Sequence, residues 1–355
     1  MIERSGLEIK RNGHDDVICS RGDSGRVIEA SYHDKVNVLQ DHKLASEGPF
    51  DRVEWFALLE ASDNVRPVTI KLSDETGLAA MVLKREKDRL EPLANWYSFL
   101  WRPVFTANAH RAALLDAAAR YLKQHARRVT LWPLPDEDGS ATLTETAFRK
   151  AGWAVFRSVC DTNHILRVQG RDYREYLASR PGALRTTLKR KAKKVEIDIY
   201  TYFHDDTWEI YEEIYAQSWK PEEGDPSLLR HFAQAEGDAG RIRLGIARHE
   251  GLPAAAQFWT VENNTAYIHK LAHIESAQNL SAGSVLTAAL MKHVLDTDRV
   301  EIVDFGTGDD GYKKDWMDDV RPRFLLDCHD TRNPHSWPYI LRGTARRVAS
   351  RLRAG

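Results

Sequence analysis

The chain combines two kinds of hydrophobic pattern. Segments such as HRAALLDAAARYLKQH and AGSVLTAALMKHVLDT repeat apolar residues at three- and four-residue spacing, which predicts amphipathic helices. Segments such as RPVTIKL, RIRLGIAR and RVEIVDF are short, β-branched and bounded by turn residues, which predicts strands. Each half of the chain therefore shows the order helix, strands, helix, strand, helix, strand.

Three segments allow more detailed predictions. DRVEWFALLEAS predicts a helix with Asp51 as a possible N-cap. RPVTIKLSDETGLAAMVLKRE predicts a hairpin that turns at residues 74–77. NWYSFLWRPVF is rich in aromatic residues and predicts one strand or a pair of strands.

The repeated order indicates an internal duplication. We predict an α/β (α+β) fold of two tandem units, each a mixed β-sheet flanked by helices. A poorly defined segment covers 1–46, the first unit 47–168 and the second unit 169–335. A basic amphipathic helix is predicted for 336–355.

Composition excludes several classes of protein. Hydrophobic residues make up 42% of the 355 positions, which is too many for a disordered chain. The 51 basic and 52 acidic residues nearly balance, so whole-chain charge predicts neither a nucleic-acid nor a membrane partner. Cys19, Cys160 and Cys328 lack the spacing of a zinc or redox motif. Without an apolar run of about 18 residues or a signal peptide, we expect a cytoplasmic protein with no transmembrane segment; the oligomeric state is unknown.

The segment EIVDFGTGDDGYKKDW, residues 301–316, is the most unusual in the chain. Its Asp-Phe-Gly matches a protein-kinase element, but the other kinase motifs are missing from the sequence. A Walker phosphate loop is also missing, and the spacing of oxygen ligands does not fit an EF-hand. A sharp strand exit followed by a turn is the remaining interpretation.

The segment HKLAH places two histidines four residues apart. Its β-branched and aromatic flanks predict a strand, in which the histidines lie about 13 Å apart and cannot share a metal ion. We therefore predict no metal site. Strict alternation places Tyr267, His269, Leu271 and His273 on one face and Lys270 on the other. Such polar residues either line a cleft or mark an exposed strand end.

The helix after this strand begins with small residues, Ser281 to Ser284. The N–H groups of a first helical turn have no partner within the helix and form a ready anion site. Small side chains would let a phosphate approach the backbone. An ordinary N-cap by Ser281 is the alternative.

These residues carry a resemblance to a known family. QNLSAG, residues 278–283, resembles the Q/R-x-x-G-x-G/A motif of the GCN5-related N-acetyltransferases (GNAT), with Ser281 in place of the first glycine. The sequence of HKLAH, SAG and DFGTGDDGYKKDW is similar to the CelD-like (cellulose biosynthesis, BioF2-like) members, which are related to Fem-type peptidyltransferases. His273-Ile274 and Ala282 depart from that pattern. The match covers about 170–335.

The resemblance implies two GNAT-like units, of which only the second keeps the cofactor elements, since TANAHRAALL in the first half has no glycine. It implies acyl transfer from acetyl-CoA or a longer acyl-CoA to an amine of a small molecule or of a sugar, cell-envelope or exopolysaccharide precursor. An aminoacyl-tRNA-dependent Fem-like transferase and a non-catalytic module are the alternatives. The implied cofactor-binding residues are Leu271, His273, Gln278, Ser281, Ala282, Gly283 and Ser284.

Acyl transfer needs an acid, a base and a group that polarises the thioester carbonyl. Tyr312 is our candidate acid, because acetyltransferases often use a tyrosine after the fifth strand to protonate the leaving thiolate. Asp304 or Asp309 could be the base or bind a cationic amine, and His269 is a second candidate base.

Two lysines are candidates for substrate binding. Lys270 and Lys313 could hold an anionic substrate, or they could pair with Asp304 and Asp309 in a structural network. The sequence leaves both interpretations open.

Two basic segments complete the sequence. LRTTLKRKAKKVE, residues 184–196, could contact tRNA, but no aromatic residues interleave with its charges, which favours a solvated helix face and makes a nucleic-acid partner unlikely. The tail YILRGTARRVASRLRAG places Leu341, Ala345, Val348 and Leu352 on one helical face. Docking of that face on the protein itself is favoured over a partner or an anionic membrane surface.

Overall fold

The structure is a computed structural model that describes residues 7–12, 15–21, 27–62 and 65–354, with side chains for 27–62, 65–347 and 349. The α-helices are α1 (Val53–Ser62), α2 (Arg111–Leu122), α3 (Ser140–Lys150), α4 (Tyr173–Ala178), α5 (Gly182–Lys191), α6 (Asp205–Ala216), α7 (Pro226–Asp238), α8 (Ala282–Asp296), α9 (Lys313–Trp316) and α10 (Trp337–Ala354). The strands are β1 (Leu7–Asn12), β2 (Asp15–Arg21), β3 (Val27–His33), β4 (Leu44–Ala45), β5 (Pro67–Asp74), β6 (Gly77–Glu86), β7 (Arg89–Pro92), β8 (Val104–Thr106), β9 (Arg128–Leu134), β10 (Trp153–Arg167), β11 (Glu196–Tyr200), β12 (Ile242–His249), β13 (Leu252–Glu262), β14 (Thr265–His273), β15 (Ile302–Thr307) and β16 (Asp319–Asp330).

The first compact unit comprises the described parts of Met1–Asp161 and Pro322–Gly355. Its strands follow the order β1-β2-β3-β5-β6-β7-β9-β16, and the short strands β4 and β8 extend it beside β6. The strand pairs are antiparallel except β7 and β9, which run parallel. Helix α2 packs on β3, β5 and β6, and α3 packs beside α2.

The second compact unit is Thr162–Arg321. The end of β10 begins its sheet, and β15, β14, β13, β12 and β11 follow. Only β14 and β15 run parallel among these pairs. Helix α8 packs on one face of β12–β14, while α6 packs on β13 and β14 and α7 on β12. Phe258 of β13 packs against Trp208 of α6, whereas its neighbour Gln257 bonds Thr287 of α8, so these helices cover opposite faces.

Each unit is thus a mixed sheet flanked by helices, which confirms the predicted fold class. In both units, a helix that packs on the sheet connects the two strands of the parallel pair: α2 lies between β7 and β9, and α8 lies between β14 and β15. This correspondence is what an internal duplication would produce.

The chain does not pass from one unit to the other at a simple boundary. Residues 163–167 of β10 pair with β15 in the second unit, and residues 324–329 of β16 pair with β9 in the first. The predicted second unit, 169–335, includes all of β16. In the structure the second compact unit runs from Thr162 to Arg321. The hydrogen-bonded pairing of the strands, and not their order in the chain, decides which strands share a core.

Most predicted helices and strands are present, including the hairpin of β5 and β6. The prediction for NWYSFLWRPVF was wrong, since only Val104–Thr106 forms a strand. Tyr97, Phe99 and Trp101 are buried although they lie outside the strands, whereas Trp96 is 59% exposed. The Trp101 indole donates to the Val82 carbonyl at 2.8 Å. The Asn95 side chain accepts from the Tyr97 N–H at 3.1 Å and holds a turn.

The prediction of Asp51 as an N-cap was also wrong. Helix α1 begins at Val53, and Asp51 ends a 3-10 turn before it. The buried Asp51 carboxylate accepts from the N–H groups of Glu47 and Gly48 and pairs with Arg102. It therefore stabilises the approach to the helix and not its first turn.

Candidate active site

Strand β14 contains a β-bulge that changes the direction of its side chains. Phe258 of β13 pairs with Lys270, but the next residue, Trp259, pairs with Ile268, so His269 is the extra residue. His269 and Lys270 consequently both face α6 and α7, where His269 stacks on Phe258 at 5.0 Å. The strict alternation predicted from the sequence was therefore wrong from this point of the strand onwards.

Past the bulge, Leu271 and His273 face α8. Leu271 lies opposite Gln257, whose side chain bonds α8, and His273 lies near Gly283. The parallel ladder between β14 and β15 covers only Thr265–Tyr267 with Ile302–Asp304. The two strands therefore separate toward their carboxyl ends, beside the start of α8.

The first turn of α8 is built without side-chain capping. Ser281 adopts a left-handed backbone conformation with φ of 55°, and its side chain makes no capping hydrogen bond. The alternative interpretation of Ser281 as an ordinary N-cap is thus wrong. A Cβ added at Gly283 would meet only Nδ1 of His273, at 3.5 Å, which is ordinary van der Waals contact. The backbone of this turn is open to a ligand.

Gln257 holds this turn in place and is fully buried. Its Nε2 donates to the Gly283 carbonyl at 2.9 Å and to the Thr287 hydroxyl at 2.7 Å. Its Oε1 accepts from the Trp259 indole at 2.9 Å. A buried amide with all of these bonds made fixes the position of α8 relative to β13.

A cavity of about 310 Å³ lies where these elements meet. It is lined by Leu184, Trp219, Leu271, His273, Gln278, Ser281, Ala282, Gly283, Ser284, Thr287, Phe305, Tyr312, Asp315 and Trp316. All seven predicted cofactor-binding residues are among them, and so is the candidate acid. The structure therefore brings together predicted site residues that are up to 41 positions apart in the chain, from 271 to 312.

Tyr312 precedes α9 and packs edge-on against Phe305, with ring centroids 5.6 Å apart. Burial, with a contribution from Asp310, raises the pKa of its hydroxyl to about 12. The hydroxyl therefore stays protonated throughout the neutral range, as an acid must before it reacts.

Asp304 is not part of the cavity wall. It is buried, and its Oδ1 accepts from Asn163 at 2.6 Å and from the Gly306 N–H at 2.8 Å. Its Oδ2 pairs with Arg321 at 2.9 Å. Both oxygens are engaged in holding the strand exit, which argues against the predicted role of Asp304 as the base.

Lys313 is likewise structural. Its ammonium donates to the carbonyls of Thr307 and Gly308, and Gly308 has φ of 94°, a conformation that favours glycine. This geometry argues against substrate binding by Lys313. Asp309 is exposed and bonds His164 at 3.1 Å and Lys314 at 3.2 Å, and these bonds lower the pKa of its carboxyl.

Lys270 lies on the opposite side of β14 from the cavity. Its ammonium pairs with Glu223 at 2.8 Å and lies 5.3 Å from the centre of the Tyr215 ring. Burial outweighs Glu223 and lowers the pKa of Lys270 to about 8. Glu223 and Tyr215 also line a second cavity of about 480 Å³, together with Trp208, Tyr211, Glu212, Ala216, Lys220, Pro221, Glu222, Pro226 and Leu229.

His269 belongs to this second side as well. Its Nε2 lies 2.7 Å from the Thr260 hydroxyl, and Phe232 packs edge-on against its ring at 5.2 Å. The structure thus places His269 on the opposite face of the sheet from Tyr312 and the cavity beside α8.

Sequence reasoning missed several residues that line the cavity, and it missed Gln257, which supports the first turn of α8 from behind the cavity wall. Trp219 packs against the His273 ring with centroids 4.1 Å apart, although it follows α6 by three positions in an irregular segment. Gln257 and Thr287 are polar residues inside apolar runs, which is a usable signal for a buried network. Leu184 and Trp316 carry no such signal.

The corresponding helix start in the first unit is closed. The His110 side chain caps α2 by accepting from the Ala113 N–H at 3.3 Å. After β9, the acidic residues Asp136, Glu137 and Asp138 pair with three different arginines. This supports the prediction that the first unit lacks the cofactor elements.

The residues that the structure describes contain no cluster of three or more histidine, cysteine or acidic side chains placed to bind a metal ion. Among the same residues, no helix combines the length and the apolar character that crossing a membrane requires. The expected cytoplasmic location stays a prediction.

Comparison with known proteins supports the coarse assignment. Residues 170–314 match the family model described as an acetyltransferase (GNAT) domain. This part of the second unit is therefore similar to a GNAT-type acetyltransferase domain, while the CelD-like type stays a prediction. A search of curated protein sequences found no match.

Solved structures show the same fold over most of the chain. FemX aligns with a TM-score of 0.57 and 11% identity, covering 82% of this chain and 94% of that one. The C-terminal domain (DUF2156) of a putative lysylphosphatidylglycerol synthetase from Agrobacterium fabrum aligns with a TM-score of 0.55 and 13% identity, covering 82% and 91%. L-PGS from Bacillus licheniformis aligns with a TM-score of 0.53 and 12% identity, covering 86% and 99%. At these identities the similarity concerns the fold alone.

Proposed function

We propose that the second unit is an acyl-CoA-dependent N-acyltransferase that acylates an amine of a small molecule. The observation that carries this proposal is the cavity where the separated end of β14 meets the uncapped first turn of α8 and Tyr312. The GNAT-type match covers these residues.

The residues that line the cavity fit an acyl-CoA donor in charge and shape. Residues 282–284 present first-turn N–H groups, whose positive helix end favours the pyrophosphate. Gly283 leaves the backbone accessible, and Leu271 offers an apolar wall to the pantetheine arm. The donor supplies a thioester carbonyl that is activated toward amines.

The chain supplies the remaining groups. Backbone N–H groups of β14 beyond Tyr267, where the ladder with β15 ends, are positioned to polarise the carbonyl. The Tyr312 hydroxyl, which lines the cavity, delivers a proton to the departing sulfur.

We assign the acceptor to the second cavity, on the α6–α7 side. Its volume of about 480 Å³ is in the range of small-molecule sites. Tyr211, Tyr215, Glu222 and Glu223 provide aromatic faces and carboxylates that suit an amine. The burial that lowers the pKa of Lys270 to about 8 would act in the same direction on a guest amine and favour its neutral, nucleophilic form.

Calorimetric titration with short and long acyl-CoAs tests the donor site. We expect binding by the wild-type chain and at least roughly ten-fold weaker binding by Gly283→Ala, because a methyl group would stand between the backbone and the phosphates. Gly182→Ala is the matched control: Gly182 also lies in the first turn of a helix, and its added Cβ would meet only Arg185, at 3.9 Å. Absence of wild-type binding, or equal affinities of wild type and Gly283→Ala, would refute the donor site.

One observation favours a second candidate, an aminoacyl-tRNA-dependent transferase. Leu184 of α5 lines the cavity, and Lys191 of the same helix donates to the Asn279 carbonyl at 2.6 Å beside it. Exposed Arg185, Lys189 and Arg190 therefore lie on a helix that borders the site. Activity that requires charged tRNA and is destroyed by ribonuclease, with no response to acyl-CoA, would establish this alternative.

A further inference from the structure

Helix α10, in the first unit, has an unusual charge. Its sequence, WPYILRGTARRVASRLRA, contains five arginines and no aspartate or glutamate. At 1.5 Å per residue its 18 residues span about 27 Å. A helix of this charge needs an anionic environment or remains in water.

The inner face of α10 is identified by its contacts. Gly343 lies against Phe156 so closely that an added Cβ would approach the ring to 2.5 Å. Tyr339, one turn earlier, stacks on His329 with ring centroids 5.6 Å apart, and the Arg128 guanidinium lies 5.8 Å from the Tyr339 ring. The helix therefore docks on its own unit through Tyr339 and Gly343.

The opposite face points to solvent. Leu341 is 71% exposed and Trp337 is 56% exposed, and Ala345 is exposed as well. Leu341 lies two residues from Gly343, or about 200° around the helix. The prediction that the tail docks through Leu341 and Ala345 was thus wrong, although the helix does dock. Val348 and Leu352, which the sequence adds to this face, have side chains outside the described part.

Exposed arginines border this apolar face on one side. Arg342 lies about 100° from Leu341, and Arg346, one turn after Arg342, lies between the apolar face and the docked side at about 60° from Gly343; both are exposed. We call the surface formed by Trp337, Leu341, Arg342, Ala345 and Arg346 the outer face of α10. An apolar strip bordered by arginines is the pattern of helices that lie in the interface of a bilayer.

We propose that the outer face of α10 binds an anionic phospholipid surface, with the helix axis parallel to the bilayer. Leucine and tryptophan would enter the boundary between headgroups and acyl chains, while the arginines contact lipid phosphates. Nucleic acid would use the arginines but would gain little from an exposed leucine. A second copy of the chain would oppose arginine to arginine, without an acidic residue in the helix to compensate.

Co-sedimentation of the full chain with vesicles tests this inference. Vesicles of phosphatidylcholine mixed with phosphatidylglycerol are compared with vesicles of phosphatidylcholine alone, at low and high salt. We expect binding only to the mixed vesicles and weakening by salt. Arg342→Ala with Arg346→Ala should weaken partitioning roughly 30-fold. Leu341→Ser should weaken it roughly ten-fold.

Matched controls come from the second unit. Leu252 is also 71% exposed, so Leu252→Ser changes an equally exposed leucine elsewhere. Arg185→Ala with Arg190→Ala removes two exposed arginines of α5. Both controls should bind vesicles like the wild type.

Several outcomes would overturn the proposal. These are absence of wild-type binding, equal binding to both kinds of vesicle, or unchanged binding by the α10 variants. Loss of binding to bulk transfer RNA in the arginine variant, with vesicle binding retained, would instead assign the face to nucleic acid. The donor-site titration is independent of all of these results.

Discussion

Gln257 is the side chain through which the central strand β13 holds the first turn of α8. Gln257→Leu keeps a similar volume but removes two donors and one acceptor from a fully buried position. The Trp259 indole N–H, also fully buried, would be left without its 2.9 Å partner, at about 1–3 kcal/mol. The lost bond to the Gly283 carbonyl adds about 1 kcal/mol. We expect the free energy of unfolding of the second unit to fall by about 3 kcal/mol.

Urea denaturation followed by circular dichroism measures this change, with Thr287→Val as the companion variant. Thr287→Val removes only a hydroxyl and should cost about 1 kcal/mol. The double variant should be less unstable than the sum of the two, because both remove the same 2.7 Å bond between Gln257 and Thr287. The acyl-CoA affinity of Gln257→Leu should fall as well. A change in unfolding free energy below about 0.5 kcal/mol, or full additivity, would refute the role of Gln257.

Three further predictions follow from the positions of single side chains. Tyr312→Phe should lower kcat about a hundred-fold or more without weakening acyl-CoA binding, and steady-state kinetics showing unchanged kcat would exclude Tyr312 as the acid. Asp304→Asn should lower the free energy of unfolding by about 3 kcal/mol because it leaves Arg321 without its 2.9 Å partner, and an equally stable variant in urea denaturation would contradict the structural role. The pKa of Lys270 in the folded chain is about 8, below its usual value of 10.5. Between these two pH values the unfolded chain binds more protons than the folded chain, so the free energy of unfolding should rise with pH. The rise across this window should be about 3 kcal/mol. Lys270→Met should lack this rise in pH-dependent denaturation, and parallel curves for the two proteins would show that the Lys270 pKa is not shifted.

The donor side of the site could be predicted largely from local sequence. The spacing of apolar residues predicts strand β14 and helix α8, because the periods of a strand and of a helix depend only on neighbouring residues. The small residues at the start of α8 indicate its first turn. Once the strand and the helix were placed, Leu271, His273 and Ser281–Ser284 had to lie near one another. The prediction that only the second unit keeps the cofactor elements rests on TANAHRAALL, which has no glycine at the equivalent helix start, and it stays a prediction.

Only the tertiary structure decided the roles of the charged residues. Asp304 of β15 and Lys313 of α9 lie on either side of the turn that leads to Tyr312. Asp304 pairs with Arg321 and Asn163, whereas Lys313 bonds backbone carbonyls. Asn163 is 141 positions from Asp304, so no local pattern indicates the pair. A charged group is stabilised by whichever partner folding brings to it, and that partner is set by long-range strand pairing.

The direction of β14 side chains was decided in the same way. A period-two pattern assigns His269 to one face and Lys270 to the other, but one extra residue opposite β13 sends both toward α6 and α7. The bulge depends on how β13 and β14 align, so the sequence of β14 alone does not predict it. What the sequence determined by itself were the helices and strands and the small residues of the first turn of α8, which follow from neighbours in the chain. Only the folded chain establishes which polar side chains reach the cavity. Their positions depend on the register between paired strands and on the strands that are exchanged between the two halves of the chain.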